Sequence, residues 1–292
     1  MHALIQGLIL GILTGGVYAL MASGQTLIFG IMKVVNLAQG ALVILAAYFS
    51  YTLFTGFGVD PLLAIPVTTA VMFGLGVVIQ LAFLRPLKPQ DSAQLSLLVT
   101  FAVALLLEGF MSVTWKTTYR SINTDYANAS WTLLDYQFTV VRIVAFVLSL
   151  VALGLLFLLL NRPRFGRAVR ATVQNPMSAE LLGVESKRVA ALGFGLGAAT
   201  AAAAGSVYGL LYPFNSGSHY DLISELLSIV VLGGMGSVGG AVIAALIVST
   251  SSAVVATMFN PTWSSFTFFV ILILVLLIRP QGLFGTVERG AL

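Results

Sequence analysis

The chain has 292 residues, of which 59% are hydrophobic and only 8% charged, with a formal net charge of +4. A water-exposed globule carries roughly 25% charged residues, so this composition excludes a soluble fold, and most of the surface must face lipid. The positive excess is read through its placement in the chain, and no nucleic-acid partner is expected; with no cysteine, a disulfide framework, a thiolate metal site and a cysteine nucleophile are excluded as well.

A spanning helix needs about 20 apolar residues. Residues 1–32 contain no Asp, Glu, Lys or Arg and predict the first span. They lack a basic n-region and exceed the apolar run of a cleavable signal, so this span is expected to stay in the mature protein. Residues 34–59 and 61–84 are equally free of charge, and 92–115 holds Glu108 alone. A polar loop over 116–142 follows, then an uncharged run at 143–161, a second polar loop over 162–188, and uncharged runs at 189–220 and 226–278. The expected fold is an all-α polytopic membrane bundle of about eight segments, forming a single domain over 1–292.

Lys and Arg gather in short cytoplasmic loops. Alternating the spans places Lys33, Arg85, Lys88, Arg162, Arg164, Arg167, Arg170, Lys187, Arg188, Arg279 and Arg289 on one side, 11 of the 14 basic residues. Lys116, Arg120 and Arg142 fall in or beside the loop over 116–142. That loop and the N-terminus are therefore expected outside, and loop 162–188 and the C-terminus in the cytoplasm. His219, Asp221 and Glu225 are placed outside by the same alternation. Residues 226–278 then hold 53 uncharged positions, too many for one crossing and too few for three. A re-entrant or broken segment over 226–258, followed by one crossing at 262–278, resolves the count. Its break is expected at Gly233, Gly234, Met235, Gly236, Ser237, Val238, Gly239 and Gly240, where five glycines in eight residues favour a turn. Tight helix packing through small residues is the plainer reading of the same stretch.

Polar groups at membrane depth are costly and mark function or interhelical contact. Glu108 is the only carboxylate well inside a predicted span. Gln25, Gln80 and Asn36 read first as interhelical hydrogen bonds. The run Asn36-Leu37-Ala38-Gln39-Gly40 is more specific, since it puts two amides and a glycine at the start of a span. Together with Gly233, Gly234, Gly236 and Ser237, these residues and Glu108 are the candidates for lining a pathway. The two histidines, His2 and His219, have no metal-ligand spacing to any other candidate. A phosphate-binding Walker loop is also missing, so any ATP hydrolysis belongs to another chain.

Loop 162–188 carries more order than a connector needs. Asn175 suits an N-cap, Pro176 the first helical position and Gly183 the C′ position. Met177, Leu181 and Leu182 stand at helical spacing, which predicts a helix of about two turns with one apolar face. A helix that short gains little from lying on headgroups, but it can plug a groove on a partner protein.

Four patches, in order along nearly the whole chain, resemble the permeases of bacterial branched-chain amino acid ABC transporters. They are Val35-Asn36-Leu37-Ala38-Gln39-Gly40; Gly166-Arg167-Ala168-Val169-Arg170-Ala171 with Asn175, Ala179 and Leu182-Gly183-Val184; Gly233-Gly234-Met235-Gly236-Ser237 with Gly239 and Gly240; and Arg279-Pro280-Gln281-Gly282-Leu283-Phe284-Gly285. The start of the chain resembles the smaller of the two permease types such transporters pair. Position 39 departs from the pattern, being Gln where many members carry His.

The resemblance implies an importer in the bacterial inner membrane. Two different permease subunits form its pathway, two cytoplasmic ATPases hold ATP and Mg, and an extracytoplasmic binding protein delivers branched-chain amino acids or a related small polar solute. This chain binds no cofactor itself and is not an enzyme. Gly166, Arg167, Arg170, Asn175, Pro176, Ala179, Glu180, Leu181, Leu182 and Gly183 become the coupling surface, with the helix around 176–182 docking into an ATPase groove. The alternative is a stand-alone channel or ion-coupled carrier, which predicts transport without ATP.

Overall fold

The computed structural model describes residues 2–87, 92–124, 126, 129–133 and 136–285. Helix α1 covers His2–Met32, α2 Gln39–Phe57, and α3 Pro61–Ile79, which continues as a π-helical turn over Gln80–Leu84. Helix α4 covers Ser92–Trp115, and strands β1 (Ser130–Leu133) and β2 (Tyr136–Thr139) form an antiparallel hairpin. Then come α5 (Val140–Asn161), α6 (Phe165–Gln174), α7 (Pro176–Leu181), α8 (Ser186–Leu211), a 3₁₀ turn over Ser216–Ser218, α9 (His219–Gly233), α10 (Val238–Met258) and α11 (Thr262–Ile278). Seven helices among the described residues are long and apolar enough to cross a bilayer, and α11 is a shorter apolar helix. The all-α membrane bundle expected from composition is the fold observed.

Local signals explain several boundaries. Asp60 caps α3 by accepting from Leu62 N at 2.8 Å, with Pro61 in the first helical position, where its missing N–H costs nothing. Helix α1 stops at Met32, and Lys33 takes a positive φ of 55° that turns the chain back.

Helix α8, rich in Ala and Gly, is the axis of the bundle and packs against α1, α2 and α3. Helices α1 and α10 form the most extensive pair. Gly7, Gly11 and Gly15 recur every fourth residue on α1 and abut Val254, Thr250 and Leu246, which recur every fourth residue on α10. A Cβ on Gly11 would strike the Thr250 backbone, so the helices approach this closely only because the side chain is missing. The outer helices α4, α5 and α11 expose Leu98, Leu106, Val113, Leu155, Leu158 and Leu277. Such faces suit lipid or a partner helix.

The α1–α10 pair is antiparallel and defines two ends. At the first, Thr257 Oγ1 donates to Ala3 O, Gln6 bonds to Gln137 of β2, and Tyr126 donates to Asp60 Oδ1. Burial, and then Asp60, push the Tyr126 phenol up to about 12, so it remains a donor at physiological pH. At the second end, Gly30 faces Gly236, Gly285 abuts Gly234, and α6 and α7 pack beneath. The described basic residues sort the same way. Lys116, Arg120 and Arg142 lie toward the first end, while Lys33, Arg85, Arg162, Arg164, Arg167, Arg170, Lys187, Arg188 and Arg279 lie at the second. Lys88 and Arg289 fall outside the described residues.

The region from 212 to 258 is arranged differently from the sequence expectation. Gly233 does end a helix, and Gly234 and Gly236 take φ values of 93° and 92° that favour glycine. The turn, however, sits at the second end of the bundle rather than at mid-depth, and α10 is a full-length helix. The irregular backbone that enters the bundle is instead 212–218, ahead of the 15-residue α9. Phe214 is buried and pairs with Arg120 through backbone bonds of 2.8 and 2.9 Å. Because this stretch descends before α9 begins, a short helix suffices for the return, and 53 uncharged residues accommodate α10 and α11 as well. For the same reason His219 and Glu225, expected in the external water, are 1% and 9% exposed.

Candidate functional site

The first candidate region is the start of α2. After Lys33 the chain doubles back, and Gln39 reaches Gly24, eight residues from the end of α1 and so about 12 Å into the bundle. Asn36 and Gln39 are 0% exposed. Gln39 Nε2 donates to Gly197 O at 3.1 Å, Asn36 Nδ2 donates to Gln39 Oε1 at 3.2 Å, and Ala38 N donates to Asn36 Oδ1 at 3.1 Å. Thr100 Oγ1 on α4 accepts from Leu37 N at 3.2 Å. The amides therefore replace the helical bonds that the broken backbone forfeits, as buried polar groups must. Gly40 lies against the His219 backbone, so the start of α2 and the start of α9 meet.

Glu108 faces the same junction from α4. Its Oε2 accepts from Tyr220 OH at 2.8 Å and stands 3.8 Å from His219 Nε2. His219 Nδ1 lies 2.8 Å from Ser216 O, which makes it the protonated nitrogen. Nε2 is buried without a hydrogen-bond partner among the described residues. The structure thus brings Asn36, Gln39, Gly40 and Glu108 around the start of α9. It leaves Gly233, Gly234, Gly236 and Ser237 at the other end of that 15-residue helix, about 22 Å away. There Ser237 Oγ caps α10 by accepting from Gly240 N. The run 36–40 itself meets 219–223.

A polar cavity of about 470 Å³ opens among α1, α5, α8, α9, α10 and α11. Its rim includes the exposed Asp221, Thr257, Pro261 and Ser265, and its floor the buried Glu225, Ser249, Ser252 and Phe268. Tyr18 OH donates to Glu225 Oε2 at 2.7 Å, and Arg142, Tyr208 and Tyr212 complete the polar wall. Among the described residues Ser249 Oγ, which is buried, has no hydrogen-bond partner. The sequence reading missed this site. Its signals were the hydroxyl run Ser249-Thr250-Ser251-Ser252 in an apolar span and Glu225 amid apolar neighbours, taken for an external residue.

The last region is the second end of the bundle. Asn175 Oδ1 accepts from Ser178 N at 3.0 Å and caps α7, Pro176 opens it, and Gly183 follows it at φ 83°. Val184 N donates back to Ala179 O, and Ser186 Oγ to Pro176 O. Ala179 is buried beneath the helix, while Met177, Leu181 and Leu182 are 77%, 86% and 82% exposed and Glu180 stands beside them. Helix α6 seats Gly166 against Leu160 O, and Arg170 Nη1 donates to the same carbonyl at 3.3 Å. Arg167 points to solvent. Helix α6 itself, joined to α7 through Asn175, extends the ordered element beyond the two turns expected.

A family model described as the branched-chain amino acid transport system permease component matches residues 7–276. The high-affinity branched-chain amino acid transport system permease protein BraD of Pseudomonas aeruginosa is 28% identical over 97% of the chain and 96% of its own length. LivH of Escherichia coli, a permease protein of the same description, matches to the same extent. LivM of Escherichia coli is 31% identical over 48% of the chain and 33% of its own length. No solved structure matches the chain.

Proposed function

We propose, from the premise that the chain belongs to the family of branched-chain amino acid transport system permease components, that it is one of two different permease subunits in an ATP-driven, binding-protein-dependent importer of branched-chain amino acids. Escherichia coli has both a LivH and a LivM permease, and this chain matches LivH nearly end to end, which favours the LivH-like role in such a pair. Two ATPase subunits bind ATP with Mg and hydrolyse it, and this chain carries no catalysis of its own. The end bearing α6 and α7 lies in the cytoplasm of a bacterial inner membrane and the N-terminus lies outside, because basic residues gather on the cytoplasmic side.

The observation that carries this reading is α7. Its backbone is capped at both ends and its Ala179 is buried, yet it holds Met177, Leu181 and Leu182 in solvent. An ordered helix that exposes three large apolar side chains at the basic end fits a groove on a soluble partner. Closure of that groove moves α7, and α8 continues from it to the bundle axis. ATP drives transport only through unequal affinity for two states of the pathway.

The test is uptake of radiolabelled leucine by proteoliposomes holding the assembled complex and its binding protein. Uptake requiring both ATP and binding protein is expected; uptake without ATP overturns the reading in favour of a stand-alone carrier. In the same assay Leu181→Asp puts a carboxylate into an apolar groove at a cost of several kcal/mol. ATPase docking and uptake should then fall by more than about tenfold. Glu180→Arg should uncouple hydrolysis from uptake. Wild-type coupling in both variants would refute the docking role of α7.

A further inference from the structure

We infer that the polar cavity on the first-end side of the bundle is a binding site for an α-amino acid zwitterion, with Glu225 and Asp221 taking the ammonium and Arg142 the carboxylate. The inference rests on the importer reading and gives that importer a set of side chains that separates a zwitterion from a neutral amide.

Three observations carry it. Asp221 and Glu225 stand four residues apart on α9 and so face the same side one turn apart. Both line the cavity, and Glu225 at its floor is 9% exposed, with Tyr18 OH on Oε2. Arg142 lines the same cavity from α5, so both signs of charge share one cavity. Ser249 is 4% exposed and lines the floor, and its buried Oγ has no hydrogen-bond partner among the described residues. A buried hydroxyl without a partner costs free energy unless something occupies the space in front of it.

The remaining wall suits an aliphatic side chain, with Leu10, Leu222, Ala253 and Phe268. The volume of about 470 Å³ falls within the roughly 300–1,000 Å³ of small-molecule sites. A neutral amide would leave Arg142 and the carboxylates without their ionic partners, and a site built around such groups rejects a ligand that cannot pair with them.

Because the chain has no cysteine, Ser249→Cys gives it a single thiol on the cavity floor. The assembled complex, with cysteine-free partners, is treated with the cationic reagent aminoethyl methanethiosulfonate and the anionic sulfonatoethyl analogue, with and without L-leucine. The cationic reagent should react at least about 10-fold faster, because acidic walls concentrate cations. L-leucine should slow the reaction, while 4-methylpentanoate, which lacks the ammonium, and isopentylamine, which lacks the carboxylate, should not. Protection should vanish in Glu225→Gln and in Arg142→Gln. A thiol that neither reagent reaches, or protection by isopentylamine equal to that by leucine, overturns the site. Ser265→Cys on the exposed rim repeats the measurement if Ser249→Cys does not assemble. The two readings fail differently. Absent ATP-dependent leucine uptake in the wild-type complex sinks the importer reading, whereas normal uptake with an unprotected thiol sinks only this site.

Discussion

Two polar clusters lie inside the same apolar bundle, and they are built to opposite ends. At the start of α2, Asn36 and Gln39 are fully enclosed and bond to one another and to Gly197 O. In the cavity bounded by α9 and α10, Glu225 has Tyr18 as a partner, but the buried Ser249 Oγ has no hydrogen-bond partner among the described residues. The first cluster repairs a backbone that leaves its helix at depth, a requirement the membrane imposes on any break. The second repairs nothing, since α9 and α10 are regular helices where Glu225 and Ser249 stand. Polar side chains on intact helices need a reason outside the backbone. This comparison separates scaffold from site more cleanly than polarity alone.

The largest effect expected from this contrast is at Gln39. Gln39→Leu keeps the volume but removes the acceptor for Asn36 Nδ2, leaving that donor buried and unpaired; Gly197 O still accepts from Thr200 Oγ1. The cost should be about 2 kcal/mol, seen as a lower melting temperature of the purified subunit complex. Uptake per folded complex should change little. A loss of uptake at unchanged stability would move Gln39 from scaffold to pathway. Tyr18→Phe comes next, at about 1 kcal/mol for one interhelical bond. Because its partner Glu225 lines the cavity, this change should raise the apparent KM for leucine. A variant with lower stability and unchanged KM would return Tyr18 to the scaffold class.

Much of this architecture was legible because lipid imposes a simple rule on composition. Charge-free runs marked α1, α2, α3, α5, α8 and α11, a run with Glu108 as its one charge marked α4, and the cap residues Asn175, Pro176 and Gly183 marked α7 to within a residue. Hydropathy carries no depth, however. Counting charges put His219 and Glu225 in water because nothing local shows that 212–218 descends into the bundle first, to where the His219 backbone meets Gly40. The glycines at 233–240 signalled a turn correctly, but its height follows from Gly30 and Gly285 packing against it. Glu108 was legible as a carboxylate inside a span, whereas its partners Tyr220 and His219 come from a helix more than a hundred residues away. The cavity was the least legible feature, since its wall draws on six helices and its residues share no motif.

The smallest predicted effect is the most discriminating. Ser249→Ala removes a hydroxyl that bonds to nothing, so it should leave the melting temperature within the equivalent of about 0.5 kcal/mol of wild type. A buried hydroxyl in the scaffold would not behave so: Ser206 Oγ lies 3.0 Å from Thr68 Oγ1 across α8 and α3, and its loss removes an interhelical bond. If the floor of the cavity serves a ligand, Ser249→Ala should still weaken leucine protection of the Ser265→Cys thiol, because Ser249 lines that floor. Stability falling as far as in Ser206→Ala would mean that Ser249 finds a partner within the assembled complex. The distinction between the two clusters would then reduce to which helices happen to be apart.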